Sequence, residues 1–566
     1  MQNPRILHRV YFDDMPPYAD PFGRYLDTWS REMPNYRVMH WNGTNVDLDE
    51  NEWVRRAAAA NSPVFLSEYY RWKALQRFGG MYLDADCEIL DGARLHQLIE
   101  DVFASDEYDA AVGVEDYYNG HPTAQTVIAK PNSELVNFMV NMYETTLSGP
   151  MWHWREMRGL IGPQLMSLYF LEKGVIKTKG MMTQLDSPTV AGRVKVYPQE
   201  YFSPKFTLDG DTLRHTENTC VYHLFANLNV EMSGEERERH RKDPMLYHEY
   251  VDMLKARSGM GTPSAPEVIG KISPGEPIEI TQKVPSSAVK NSRPNLKILH
   301  RIYFGFDGKP DRFQGYLQTW ADQLPDFEIK LWNASNLPID INDYVKELYT
   351  AKDHAFLTDY FRWWVLKEHG GMYLDADVEV TDGHQIRDLI EELEVADKFD
   401  AFIGIDEKEG GWYTAHSMAT KPNAKIAEYM CSVYEGMGPI KAWRKKAFYL
   451  WAPQLTALYF FEKGHHVGGM GTSPHLDDPV IHAGVKIYPQ DYFSPLAPKA
   501  NGDKLFSLNA YTERTSLCHH FACSWHDADS AYTAHAGRVS DDGNVLLSEI
   551  AKELGVTKRP KMASPE

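Results

Sequence analysis

The chain has 566 residues, 43% of them hydrophobic, 12% aromatic and 24% charged, a globular composition that lies outside the disordered range and is too long for a single hydrophobic core. Its formal net charge of −20 repels polyanions, which argues against nucleic acid or an anionic membrane surface as partner. The five cysteines (Cys87, Cys220, Cys431, Cys518 and Cys523) are odd in number and show no metal-ligand pairing, so they read as reduced, buried thiols.

The opening MQNPRILHRVYFDD enters a strand-like run at once, without an apolar leader, and no later stretch reaches the ~18 apolar residues that span a bilayer. A cytoplasmic protein is expected. After the strand ILHRVYF (6–12), the large apolar residues over 64–78 have helical spacing. That helix runs into Gly79-Gly80, a stop signal, and then into MYLDAD, a short buried strand ending in carboxylates. A further strand is expected at DAAVGVE (109–115).

From residue 257 to 294 the chain is rich in Pro, Ser and Gly and lacks a sustained apolar period, so it reads as a linker, with EPIEITQKV as a short strand candidate inside it. Beyond the linker the first half is written again. ILHRVYF (6–12) returns as ILHRIYF (298–304), and VFLSEYYRWKALQRFGGMYLDADCEI (64–89) as AFLTDYFRWWVLKEHGGMYLDADVEV (355–380). GPQLMSLYFLEKG (162–174) returns as APQLTALYFFEKG (452–464), and VKVYPQEYFSP (194–204) as VKIYPQDYFSP (485–495). The offset stays between 290 and 292 residues, from 162 against 452 to 6 against 298. Such constancy means duplication of a whole domain. The expected organisation is a first domain over 1–256, the linker over 257–294, a second domain over 295–551, and a frayed tail over 552–566. Alternating strands and helices in each copy predict an α/β fold with a mainly parallel sheet.

In open α/β sheets ligands bind beyond the carboxyl ends of the strands, where Asp84-Ala85-Asp86 and Asp375-Ala376-Asp377 both stand. Two carboxylates separated by one small residue converge on a hard cation and leave its other positions to water and phosphate oxygens. Mn²⁺ or Mg²⁺ is the expected ion, and neutralising a departing nucleoside diphosphate is the chemistry it suits.

The segment LTDYFRWWVLKEHGGMYLDADVEV resembles the DXD sugar-binding region of glycosyltransferases with a GT-A fold, a group that includes capsular-polysaccharide and α-mannosyltransferase-type enzymes and, more distantly, the glucosylating domains of large clostridial toxins. The resemblance covers most of both copies and implies two tandem Rossmann-like GT-A domains. It also implies a nucleotide-sugar donor, a UDP-sugar ahead of a GDP-sugar, and a carbohydrate or glycoconjugate acceptor. Within it, an Asp-x-x-Arg before the DXD clamps the donor sugar, matched in copy two by Asp359 and Arg362. The resemblance assigns the catalytic role to Asp375, Asp377, Asp359 and Arg362, and nucleobase stacking to Tyr303 and Tyr11 on the opening strands. It also implies that a closing His…Ser-Trp segment holds metal and phosphate, giving His519, Ser524 and Trp525 in copy two. The metal set is then Asp375, Asp377 and His519, with Asp84, Asp86 and His223 in copy one. Tyr360, Trp363 and Trp364 on the same helix read as core.

Copy one departs from the pattern. Glu68 replaces Asp359, and Leu228 and Asn229 stand where copy two has Ser524 and Trp525, while Arg71, Asp84 and Asp86 remain. Copy two is therefore the expected catalytic domain, with the implied outcome retention of configuration. The alternatives are two active copies, a carbohydrate-binding scaffold made of decayed transferase domains, and transfer to modified DNA bases, which needs a basic groove the charge does not suggest. Asp406, Glu407 and His416 are candidates beside the acceptor. Gln164 and Gln454, near a helix start, either reach sugar hydroxyls or pack there.

Overall fold

The computed structural model describes residues 2–12, 20–115, 122–148, 162–173, 185–205, 213–225, 244–257, 295–308, 310–406, 412–437, 452–465, 476–498, 506–508, 510–522, 539 and 544–560. The chain divides into two compact units, each holding one seven-stranded sheet. Most of the expected linker, with EPIEITQKV, lies outside the described residues.

The first unit contains strands β1 (Ile6–Val10), β2 (Arg37–Trp41), β3 (Gly80–Leu83), β4 (Cys87–Ile89), β5 (Ala110–Val114), β6 (Pro122–Ala129), β7 (Thr189–Ala191), β8 (Val194–Tyr197) and β9 (Val221–His223). Seven of these form a sheet in the order β2-β1-β3-β6-β5-β8-β7. Five strands run one way, while β6 reverses between β3 and β5 and β7 reverses at the edge. The sheet is thus mixed, with the parallel strands that the alternating pattern predicts and two reversed strands that it does not.

The second unit repeats this arrangement with β10 (Ile298–Ile302), β11 (Glu328–Trp332), β12 (Gly371–Leu374), β13 (Val378–Val380), β14 (Ala401–Ile405), β15 (Tyr413–Thr420), β16 (Val480–His482) and β17 (Val485–Tyr488), in the order β11-β10-β12-β15-β14-β17-β16. It also has β18 (Ala497–Pro498), β19 (Phe506–Ser507) and β20 (Leu517–His519).

Strands buried on both faces explain why β1 and β10 carry almost no polar alternation. Leu7 joins a core with Trp29, Leu95, Ile99 and Phe103 from the helices Gly23–Glu32 and Gly92–Ala104. The next residue, His8, points to the other face, against Phe78 of the helix Pro63–Phe78. Its Nε2 donates to the Gly79 carbonyl at 2.8 Å, and its Nδ1 accepts from the Trp41 indole at 3.1 Å. His300 makes the same pair of bonds to Gly370 and Trp332. The His of each opening strand is therefore a clamp between strand and helix end.

The helices Pro63–Phe78 and His354–His369 fall on the expected 64–78 segment and on its repeat in the second half. Trp363 and Tyr360 are buried as expected, and Trp364 is half-buried. The helix stops because Gly370 and Gly371 take φ of +65° and +89°. A Cβ at Gly371 would stand 2.7 Å from the Ile298 carbonyl oxygen, so only glycine lets β12 lie this close to β10.

Near the end of the chain the helix Leu547–Leu554 is followed by Arg559, which exchanges backbone hydrogen bonds with Tyr511 and Glu513. The segment from 552, expected to fray, is thus fastened as far as 559, because backbone pairing continues beyond the last apolar period. Among the described residues no helix is long and apolar enough to cross a membrane. Cys87, Cys220, Cys431 and Cys518 are buried free thiols, while Cys523 lies outside the described residues.

Candidate active site

Each Asp-Ala-Asp forms the turn between a sheet strand and a short second strand. In the second unit Asp375 follows β12, and its backbone N–H donates to the His416 carbonyl on β15 at 2.8 Å. Beyond Asp377, β13 pairs antiparallel with β20, setting Val378 opposite His519. That register carries a residue from far along the sequence to the second aspartate. Nε2 of His519 lies 3.4 Å from Asp377 Oδ2, which also accepts the Ala522 N–H at 2.8 Å. The first unit uses the same device, with β4 on β9 and Cys87 opposite His223. There His223 Nε2 is 3.2 Å from Asp86 Oδ1 and 4.0 Å from Asp84 Oδ2.

In both triads, Asp84-Asp86-His223 and Asp375-Asp377-His519, one ligand atom from each side chain lies within 4.8 Å of the others. Two carboxylate oxygens and an imidazole are a donor set for a divalent metal ion. The Nδ1 atoms of His223 and His519 are buried without a hydrogen-bond partner among the described residues, so each ring keeps a polar edge that its own surroundings leave unsatisfied.

The electrostatics fit a cation site. Burial opposes ionisation of Asp377, but the charge and hydrogen bond of His519 and the Ala522 N–H outweigh it and hold the carboxyl well below the usual range. Burial likewise disfavours the charged imidazole of His519, and Asp377 overrides it, raising the ring above its ordinary value. His223 is raised in the same way, chiefly by Asp86 against burial.

Behind the second triad, Arg362 is 7% exposed. It pairs with Asp359 Oδ1 at 2.8 Å, reaches Asp375 Oδ1 at 3.5 Å, and donates to the Ala415 carbonyl. Asp359 and Arg362, one helical turn apart, therefore join Asp375 in one cluster. Burial pushes the Asp359 carboxyl up to about 6, despite the neighbouring guanidinium. In the first unit Arg71 lies 3.3 Å from Asp84 Oδ1 and donates to the Ala124 carbonyl at 2.9 Å. Glu68 is buried on the same helix.

Tyr303 is half-buried, packs in the cluster that includes Ala376, and donates its hydroxyl to the Pro310 carbonyl at 2.7 Å. Tyr11 packs edge-on to Phe22 in the cluster that includes Ala85. Each opening-strand tyrosine thus packs against the same hydrophobic cluster as the small residue of its DXD. Ser524, Trp525, Leu228, Asn229 and Glu407 lie outside the described residues, as does the side chain of Gln164. Gln454 is buried at a helix start, with Oε1 unpartnered among the described residues.

Three contributors escaped the sequence reading. Tyr373 and Tyr82, inside the repeated GGMYLDAD, donate their hydroxyls to Asp375 and Asp84. Ser494 lies 3.0 Å from His416 Nε2. Its signal was the duplicated YFSP, which places a serine at 203 and at 494.

The family described as the glycosyltransferase sugar-binding region containing a DXD motif matches residues 20–103 and 310–394, one span in each unit. No curated protein matches the chain. Similar solved structures include the PaToxG glycosyltransferase (13% identity, TM-score 0.23, 29% of this chain and 66% of that one). A glycosyltransferase involved in glycosylation of the major capsid of PBCV-1 matches at 10% identity and TM-score 0.26, over 41% of this chain and 98% of that one. The galactosyltransferase LgtC in complex with donor and acceptor sugar analogs matches at 14% identity and TM-score 0.20, over 45% and 99%. Each unit thus carries one match to the sugar-binding region of DXD glycosyltransferases, and the duplication seen in the sequence repeats that region.

Proposed function

We propose that the protein transfers a glycosyl group from a nucleotide-sugar donor to an acceptor hydroxyl on a glycan or glycoconjugate, with retention of configuration, and that the second domain, over 295–551, is the main catalytic unit. The observation that carries this reading is the convergence of Asp375, Asp377 and His519 at the carboxyl end of β12, backed by Asp359 and Arg362.

A Mn²⁺ or Mg²⁺ ion held by that triad would supply positive charge to the leaving diphosphate. Asp359 accepts hydroxyls of the donor sugar, and Arg362 holds Asp359 and Asp375 in register for it. Tyr303 presents its ring to the base, and Ser524 and Trp525 close on the phosphates. UDP-sugars are the first donors to test and GDP-sugars the second.

A second reading, in which both domains transfer sugars, is favoured by the first triad, which keeps all three ligand types. A panel of nucleotide sugars with Mn²⁺, run on the wild type, Asp84→Ala/Asp86→Ala and Asp375→Ala/Asp377→Ala, separates the two. The second double variant is expected to lose most turnover. Equal loss from both favours two active domains, and no loss from either removes the triads from the reaction.

A further inference from the structure

The two sites also differ around β15 and the residue that follows β14. In the second unit His416, buried on β15, has Nδ1 2.7 Å from Ser417 Oγ and Nε2 3.0 Å from both Asp406 Oδ1 and Ser494 Oγ. A carboxylate accepts only, so Nε2–H donates to Asp406, Nδ1 accepts from the Ser417 hydroxyl, and Ser494 donates to the same Asp406 oxygen at 3.2 Å. The flat face of the ring stacks on His519 at 4.2 Å and 24°. Four elements thus form one chain of contacts: Asp406 past the end of β14, His416 on β15, His519 on β20, and Asp377 after β12.

β14 and β12 point the same way, because both are antiparallel to β15. Asp406 therefore opens on the same carboxyl edge as the DXD, the edge where ligands sit in such sheets. In the first unit the imidazole link of this chain of contacts is missing. Glu115 replaces Asp406, and Gln125 replaces His416 and turns its amide to the Ser203 hydroxyl and the Phe202 carbonyl. An amide side chain has no ring to place behind His223.

We propose that His416 is a positioning residue of the second site, aiming Asp406 at a sugar hydroxyl beside the DXD and bracing His519, and that its exchange for Gln125 makes the two sites unequal. This rests on the transferase reading above. Misorientation of a group at a reacting centre costs up to about a hundredfold in rate, and residues acting through one another give non-additive losses.

The test uses the full chain carrying Asp84→Ala/Asp86→Ala, so that turnover reports the second site. His416→Phe keeps a ring on His519 and removes the bond to Asp406. His416→Gln inserts the residue the fold already accommodates at position 125. Each, and Asp406→Asn, is expected to lower kcat by roughly tenfold to a hundredfold with the donor KM within about threefold, and His416→Phe/Asp406→Asn is expected to be no slower than Asp406→Asn alone. Additive losses, or wild-type kcat in both His416 variants, would overturn the positioning role while leaving the transferase reading intact. Absence of nucleoside diphosphate release from the unsubstituted protein with every donor would overturn both.

Discussion

Replacing Arg362 with methionine tests whether one buried guanidinium holds the second site together. Four acceptors face it: the Asp359 carboxylate, the Asp375 carboxylate and the Ala415 and Thr358 carbonyls. Methionine fills much of the volume but leaves two acidic groups facing each other without a counter-charge. Removing one partner of a buried ion pair costs about 3–5 kcal/mol, which for a domain of this size lowers the melting temperature by about 6–20 °C. The loss depends on pH. Burial holds the Asp359 carboxyl at about 6 against an ordinary 3.8, so its stabilising contribution is fully present below 3.8 and is lost as pH rises through 6. Arg362→Met is therefore expected to be more damaging at pH 8 than at pH 5, and Mn²⁺ is expected to restore part of the loss by supplying charge to Asp375. Arg362→Lys keeps the charge without the fork and should fall between. Calorimetry on the full chain reads all of these. A shift of less than about 1 °C for Arg362→Met at pH 8 would refute the account of the cluster.

Gly371→Ala sets a Cβ 2.7 Å from the Ile298 carbonyl at a φ of +89° and should cost about 2–4 kcal/mol, whereas Gly436→Ala, with no atom within 4 Å of its Cβ, should stay within about 1 kcal/mol of wild type; equal effects in denaturant melts would contradict the close approach of β12 to β10. Burial holds His8 at about 4 and His300 at about 3, both below the ordinary 6.5. Their contribution is present above 6.5 and lost as pH falls toward those values, on the order of 3 kcal/mol for His8 and about 5 kcal/mol for His300. His8→Gln and His300→Gln should each flatten that acid-side slope, and an unchanged slope would contradict the buried neutral clamp.

Much of the site could be read from the sequence, because duplication writes it twice. The helix before each DXD and its glycine stop follow from local spacing, while Asp359 and Arg362 were singled out through the resemblance. The triad histidines stood out only through resemblance. Their delivery depends on β4–β9 and β13–β20 pairing across more than a hundred residues, which no local period encodes. Strand direction was hidden for the same reason. β6 and β15 are buried along their whole length, so nothing in PTAQTVIA or YTAHSMAT shows that they run against their neighbours. His416 and Asp406 were visible as candidates, but the bonds joining them to Ser494 and the stack on His519 exist only once those antiparallel strands are in place.

The central claim is that the acidic turn after β12 grips a cation that in turn grips a nucleotide diphosphate. Titration calorimetry of UDP, and in parallel GDP, against the full chain carrying Asp84→Ala/Asp86→Ala addresses it directly, with Mn²⁺ present or replaced by EDTA. Binding is expected with Mn²⁺, at least tenfold weaker binding in EDTA, and no Mn²⁺-dependent binding once Asp375→Ala/Asp377→Ala is added. Nucleotide binding of equal strength under all three conditions would contradict it.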